Sequence, residues 1–179
     1  LRNCRKTLRK DSQAWKKNWV FIPNIMMALA HRPAELRAFM AYNKALSGKK
    51  SGLTKAEKEM LLIALSSDND CTYCVISHGA VLRLETGNPY LSDQIAVNYK
   101  EADITPRERA IIDFSLKVTN DSKSVSEKDF EILHAHGLSD EDIWDIAGYT
   151  SLYNLSNRMM NFLKVRPDEE FYKLGRETE

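Results

Sequence analysis

Apolar positions recur at helical spacing along most of the chain, and few stretches alternate with period two. The pattern predicts an all-α protein. Its punctuation is sparse, with 7 Gly and 5 Pro in 179 residues. A first helix over 2–18 ends at Phe21-Ile22-Pro23-Asn24, because a residue before proline avoids the α region. A short helix over 24–30 follows. The next starts at Pro33, well suited to a first helical position, and runs to about Leu46. Ser47 to Gly52 reads as a loop.

Thr54-Lys55-Ala56-Glu57 is a capping box that opens a helix over 54–67. Beyond Lys58 that helix is nearly all apolar, so it is expected at the centre of the fold. Asp68-Asn69-Asp70 supplies N-cap residues for a helix over 71–86, which Gly87-Asn88-Pro89 ends. A helix over 90–99 comes next. Thr105-Pro106-Arg107-Glu108 is a second capping box, and its helix reaches Val118. A helix over 126–136 stops at Gly137. Ser139 caps the last long helix, 140–164, whose acidic first turn complements the helix dipole. The paired starts Leu53-Thr54-x-x-Glu57 and Ile104-Thr105-x-x-Glu108 hint at an internal duplication.

Length and composition fit one domain over 1–179, with 43% apolar residues. A net charge of +1 gives no whole-chain field to select nucleic acid or an anionic membrane, so neither is expected as a partner. Apolar runs such as Met60–Leu65 fall far short of the roughly 20 residues of a membrane-spanning helix. The segment 2–18 is basic and amphipathic, with Leu1, Cys4, Leu8, Trp15 and Trp19 on one stripe, and reads as a surface helix with a solvated basic face. Three cysteines make no disulfide framework. They fit a reducing compartment, and a cytoplasmic protein is expected.

The chemistry concentrates in Cys71-Thr72-Tyr73-Cys74-Val75-Ile76-Ser77-His78. At about 100° per residue, Cys71, Cys74 and His78 share one helical face. Such a set can cycle between dithiol and disulfide, hold a metal, or be structural. Zinc wants four ligands, and this set gives three. His134 and His136 are two apart and point to different sides of a helix. Haem attachment needs His directly after the second Cys, where Val75 stands. No metal or cofactor is expected, and the redox reading leads. The thiolate is the nucleophile. A helix N-terminus favours it, and His78 can take its proton. Peroxide would oxidise one thiolate to a sulfenic acid, the other thiol would condense with it, and an external dithiol would reduce the disulfide. Glu59, taken alone, reads as a surface residue.

Glu59, Cys71, Cys74 and His78 together resemble the pattern of the AhpD-like alkylhydroperoxidases of the carboxymuconolactone decarboxylase superfamily: a Glu, eleven intervening residues, then Cys-x-x-Cys-x-x-x-His. Phe21-Ile22-Pro23-Asn24, Ala30-His31-Arg32-Pro33 and Asn157-Arg158 resemble the family's peroxidase-related branch, so the likeness spans about 15 to 165. It implies an all-α domain of about seven to eight helices that assembles as a trimer or hexamer. It implies that Cys74 is the reactive thiol and Cys71 the resolving one, with Glu59 and His78 relaying protons. Hydrogen peroxide or organic hydroperoxides would be the substrates, and a lipoylated or thioredoxin-like protein the reductant. Tyr73 departs from the His that the best-known members carry between the cysteines. It is expected to point away from the Cys face, and it bears on the reductant more than on the thiol cycle. Two alternatives remain: a non-catalytic redox-sensing or oligomeric binding protein, and a decarboxylase-like enzyme, which the Cys pair disfavours.

Other residues carry blander expectations. Asn157 and Arg158 are read as structural or intersubunit residues. Tyr149, Tyr153, Met159, Met160 and Phe162 are read as core or interface. Cys4 is read as an inert thiol, and His31 as a local packing residue.

Overall fold

The computed structural model describes residues 21–176. The expectations for residues 1–20, Cys4 and the first helix among them, lie outside the described residues. All regular structure among the described residues is helical: α1 (Asn24–Leu29), α2 (Pro33–Ser47), α3 (Lys55–Asp68), α4 (Thr72–Thr86), α5 (Leu91–Asn98), α6 (Pro106–Asp121), α7 (Glu127–Ala135), α8 (Asp140–Leu163) and α9 (Glu169–Lys173). Short 3₁₀ turns follow α5 and α6. The helix α9 was not foreseen, being only five residues long and flanked by charge. No helix is long and apolar enough to cross a membrane, among the described residues.

The helix starts follow the local chemistry. Thr54, Thr105, Ser126 and Ser139 each form a complete capping box with an acid three residues on. Each satisfies N–H groups that a helix end leaves unpaired. Gly87 ends α4 and Gly137 follows α7, with φ of 68° and 76°, left-handed values that cost glycine nothing.

As its sequence requires, α3 is central. Met60, Leu61, Leu62, Ile63, Ala64 and Leu65 are all buried, and the helix packs on α4, α5, α6 and α8. One side joins Leu61, Leu62 and Leu65 to Ile111 and Phe114 of α6 and Ile146 and Tyr149 of α8. The other joins Met60 and Ile63 to Leu82 of α4, Ile95 of α5 and Ile112 of α6. Each such side chain stabilises the fold by roughly 1.5–3 kcal/mol relative to exposure. Glu57 serves twice. It closes the α3 capping box and accepts from Arg107 Nε at 2.6 Å, while Arg107 also donates to Gly52 O and His136 O. One guanidinium thus ties the starts of α3 and α6 to the end of α7.

A third apolar group joins Cys71, Tyr73, Cys74 and Ala80 to Met160 of α8 and Phe171 of α9. The thiols therefore sit in a seam between α4, α8 and the C-terminal segment.

Candidate active site

The turn between α3 and α4 sets the thiols. Asp70 has φ 53°, a left-handed value that Asp and Asn tolerate better than most residues. Asp70 N donates to Ser67 O, and Cys71 N to Ser66 O at 2.8 Å. Cys71 is thus the N-cap of α4, and Cys74 lies in its first turn. Cys71 Sγ and Cys74 Sγ are 2.8 Å apart, hydrogen-bonded and unbridged, and both residues are buried.

The pair behaves as one acid. Hydrogen bonding with the Cys74 side chain and backbone pulls Cys71 down to about 7, helped by the neighbouring His78 and Asn157 side chains and opposed by burial. The same bond and burial push Cys74 up. One proton leaves the pair readily and the second does not.

Glu59 reaches the site. Its Oε2 lies 2.7 Å from His78 Nδ1, and both side chains are largely buried, so the surface reading of Glu59 fails. Its position beside Leu62 on α3 turns it toward α4. A carboxylate only accepts, so Nδ1 carries the proton and Nε2 is left to take one.

Cys74 and His78 line a cavity of about 290 Å³. Its apolar wall includes Ile25, Met26, Phe39, Met40, Val81 and Phe171. Cys71 does not line it. Tyr73 does, which corrects the expectation that it points away from the site. The cavity wall there comes from α9, which packs on α4, and from α1, whose Ile25 meets Tyr73. Tyr73 Oη donates to Asp168 Oδ2 at 3.4 Å and accepts from Ile25 N at 3.3 Å. Burial of its ring pushes the phenol up, out of use as an acid near neutrality.

Three further residues belong here: Tyr153 and Asn157, which the sequence reading assigned to packing, and Ser156, which it did not single out. Tyr153 lines the cavity and meets the His78 ring edge-on, centroids 4.9 Å apart, while its hydroxyl accepts from Asn43 Nδ2. Ser156 lines the cavity beside Cys74. Asn157 is fully buried, and its amide lowers the ionisation of both thiols. These positions are i, i+3 and i+4 on α8, a spacing visible in the sequence, but only the packing of α8 on α4 gives it meaning. Arg158, in contrast, is exposed, as is His31, which therefore does not serve as a packing residue. Among the described residues no group of three or more His, Cys, Asp or Glu is arranged to hold a metal ion.

A solved structure of an AhpD core, an uncharacterized peroxidase-related protein from Ralstonia eutropha JMP134, is 48% identical to this chain, with a TM-score of 0.91 over 98% of this chain and 92% of that one. The chain belongs to the AhpD-like, peroxidase-related proteins of the carboxymuconolactone decarboxylase family. A family model described as the carboxymuconolactone decarboxylase family matches residues 33–88, which hold Glu59, both thiols and His78. An uncharacterized peroxidase-related protein from Silicibacter sp. TM1040 is 34% identical, with a TM-score of 0.89 over 96% of this chain and 90% of that one. The debrominase Bmp8 shares the fold at 20% identity, with a TM-score of 0.72 over 87% of this chain and 83% of that one. No curated protein sequence matches the chain.

Proposed function

We propose that this AhpD-like protein is a thiol-dependent peroxidase that reduces hydrogen peroxide or organic hydroperoxides through Cys71 and Cys74. The observation that carries the reading is a hydrogen-bonded, unbridged thiol pair with one lowered ionisation beside a Glu59-held histidine. Cys74 is the thiol that peroxide meets, because it faces the cavity. The pair ionises once as a unit, and in the form that reacts Cys71 Sγ keeps the remaining proton and donates it to Cys74 Sγ at 2.8 Å, so that Cys74 carries the charge.

The Cys74 thiolate attacks the outer peroxide oxygen. The S–O bond forms, the O–O bond breaks, and the leaving alkoxide takes a proton through His78 and Glu59. The Cys71 thiol then attacks the Cys74 sulfenic acid, a disulfide forms, and water leaves. An external dithiol, such as a lipoylated or thioredoxin-like protein, returns both thiols by exchange. Free thiols of this kind fit a reducing compartment such as the cytoplasm.

The test is peroxide consumption by the reduced protein with a small dithiol reductant. Turnover and the loss of two free thiols per chain are expected. Turnover that survives Cys74→Ser unchanged refutes the reading.

We infer too that the chain works as a homo-oligomer, a trimer or hexamer. Trp144, Leu155 and Phe162 stand exposed along α8, the first and last at 71% and 76%. Apolar side chains of this size left open on one helix fit an interface. A monomeric mass in solution counts against it.

A further inference from the structure

We infer that Arg158, at the surface, orients a chain of three side-chain amides that ends by presenting an Asn157 N–H to the buried thiol pair. This rests on the reading that the thiols are the reactive centre. Asn157 and Arg158 are then positioning residues and not a mere interface motif.

The direction of the chain follows from what each group can donate. Arg158 carries donors only, and its Nη1 lies 2.8 Å from Asn154 Oδ1. That contact fixes the Asn154 amide with its oxygen toward Arg158. The other end agrees: Asn154 Nδ2 donates to Thr119 Oγ1 at 3.0 Å, and Thr119 spends its own proton on Ser115 O. Asn154 Oδ1 also receives Asn69 Nδ2 at 2.8 Å. The same Asn69 nitrogen donates to Asn157 Oδ1 at 3.0 Å. With its oxygen held there, Asn157 must turn its nitrogen to the other side. That nitrogen has two hydrogens. One goes to Ser66 Oγ at 3.0 Å, and the second is free to act on the thiols, both of whose ionisations the Asn157 amide lowers.

The placement is consistent with the anchoring of the thiols themselves. Ser66 O holds Cys71 N, and Asn161 Nδ2 holds Asn69 O at 2.9 Å. Asn154, Asn157 and Asn161 thus line one face of α8 and grip the turn that carries Cys71. A flipped Asn157 would aim its carbonyl oxygen at a thiolate. In a buried site that repulsion would hold the pair protonated.

The test reads the thiol directly and needs no peroxide. The rate of alkylation of the reduced protein by iodoacetamide is followed across pH. Asn157→Leu keeps the side-chain size and removes the donor. It is expected to move the midpoint up and to slow alkylation at pH 7 about tenfold, the effect of losing a hydrogen bond to a charged group. Arg158→Ala removes one of the two contacts that orient the Asn154 amide and is expected to slow it about threefold in the same direction. Arg158→Lys, still a donor only, is expected to restore the wild-type profile. If Asn157→Leu does not fold, the exposed Arg158 pair decides. Loss of thermal stability with an unmoved midpoint in the variants that fold assigns these residues a structural role and overturns the proposal. A moved midpoint in a protein that consumes no peroxide keeps the relay and refutes only the peroxidase reading.

Discussion

Glu59 Oε2 stands 2.7 Å from His78 Nδ1, at side-chain exposures of 14% and 16%. The carboxylate comes from α3 and the imidazole from α4, the two helices that pack most extensively. Their spacing along the chain therefore becomes one contact. Orienting the ring leaves Nε2 for proton transfer at the cavity. His78→Ala is expected to lower peroxide turnover by about 10²–10⁴, the usual worth of positioned acid–base catalysis. Glu59→Gln is expected to cost less, because the amide keeps a contact but no longer fixes the tautomer. Steady-state rates with a saturating dithiol measure both, and unchanged rates in both variants exclude the relay.

The thiol pair should write its ionisation into stability. Cys71 is lowered to about 7 in the fold, whereas a free thiol titrates near 8.5. Between these values the unfolded chain binds more protons, so the stability of the reduced protein rises with pH across that window. Cys74 is raised in the fold. Its contribution is present below the unfolded value and is lost as pH rises beyond it. The reduced protein should therefore be most stable near the upper end of the window, with decline on both sides. Thermal denaturation under dithiol from about pH 6 to 10 measures this. The double substitution of Cys71 and Cys74 by Ser should flatten the profile there.

How much of this was legible beforehand follows the range of the forces. The capping boxes at Thr54, Thr105 and Ser139 are local, and each opens a helix where its four residues say it should. The central place of α3 follows from its nearly unbroken apolar run, which is a short-range signal with a long-range consequence. Glu59 was ambiguous on its own wheel and became a site residue only through the resemblance. The direction of Tyr73, and the places of Tyr153 at the cavity and Asn157 beside the thiols, were out of reach for one shared reason. Their neighbours lie tens of positions away, from 48 for Tyr73–Ile25 to 110 for Tyr153–Asn43, on elements whose docking no periodicity encodes, as the Tyr73–Asp168 and Asn157–Ser66 contacts also illustrate.

The cavity beside Cys74 is walled by Ile25, Met26, Phe39, Met40 and Val81, with Phe171 at its α9 side. Its volume of about 290 Å³ admits a small organic hydroperoxide. Val81→Trp, on the same helix as both thiols, would fill part of that space. KM for a bulky organic hydroperoxide is expected to rise about tenfold, in line with one to a few methylenes of lost apolar contact, while hydrogen peroxide turnover stays near wild type. Equal losses for both substrates would mean that the cavity is not the approach to Cys74.

Arg83 is the least expected buried group, since among the described residues no carboxylate pairs with it. Its Nε donates to Leu174 O at 2.9 Å, Nη2 to Phe171 O at 2.7 Å, and Nη1 to Ser92 Oγ at 3.2 Å. Burial, the largest cause, holds its ionisation below the usual arginine range. The two carbonyls belong to the end of α9, where a helix leaves acceptors unpaired. One guanidinium thus fastens the C-terminal segment onto α4, and with it the Phe171 wall of the cavity. Lysine carries one point donor group and cannot span three acceptors in this fork geometry. Arg83→Lys is therefore expected to destabilise the protein by about 2–4 kcal/mol, from carbonyls left unpaired in a buried site. That corresponds to a fall in Tm of roughly 5–15 °C for a chain of this size. Trypsin cleavage after Lys173 should quicken in parallel, because the segment loses its anchor before the core does. A variant with wild-type Tm and unchanged cleavage would show that apolar packing of Phe171 alone holds the segment in place.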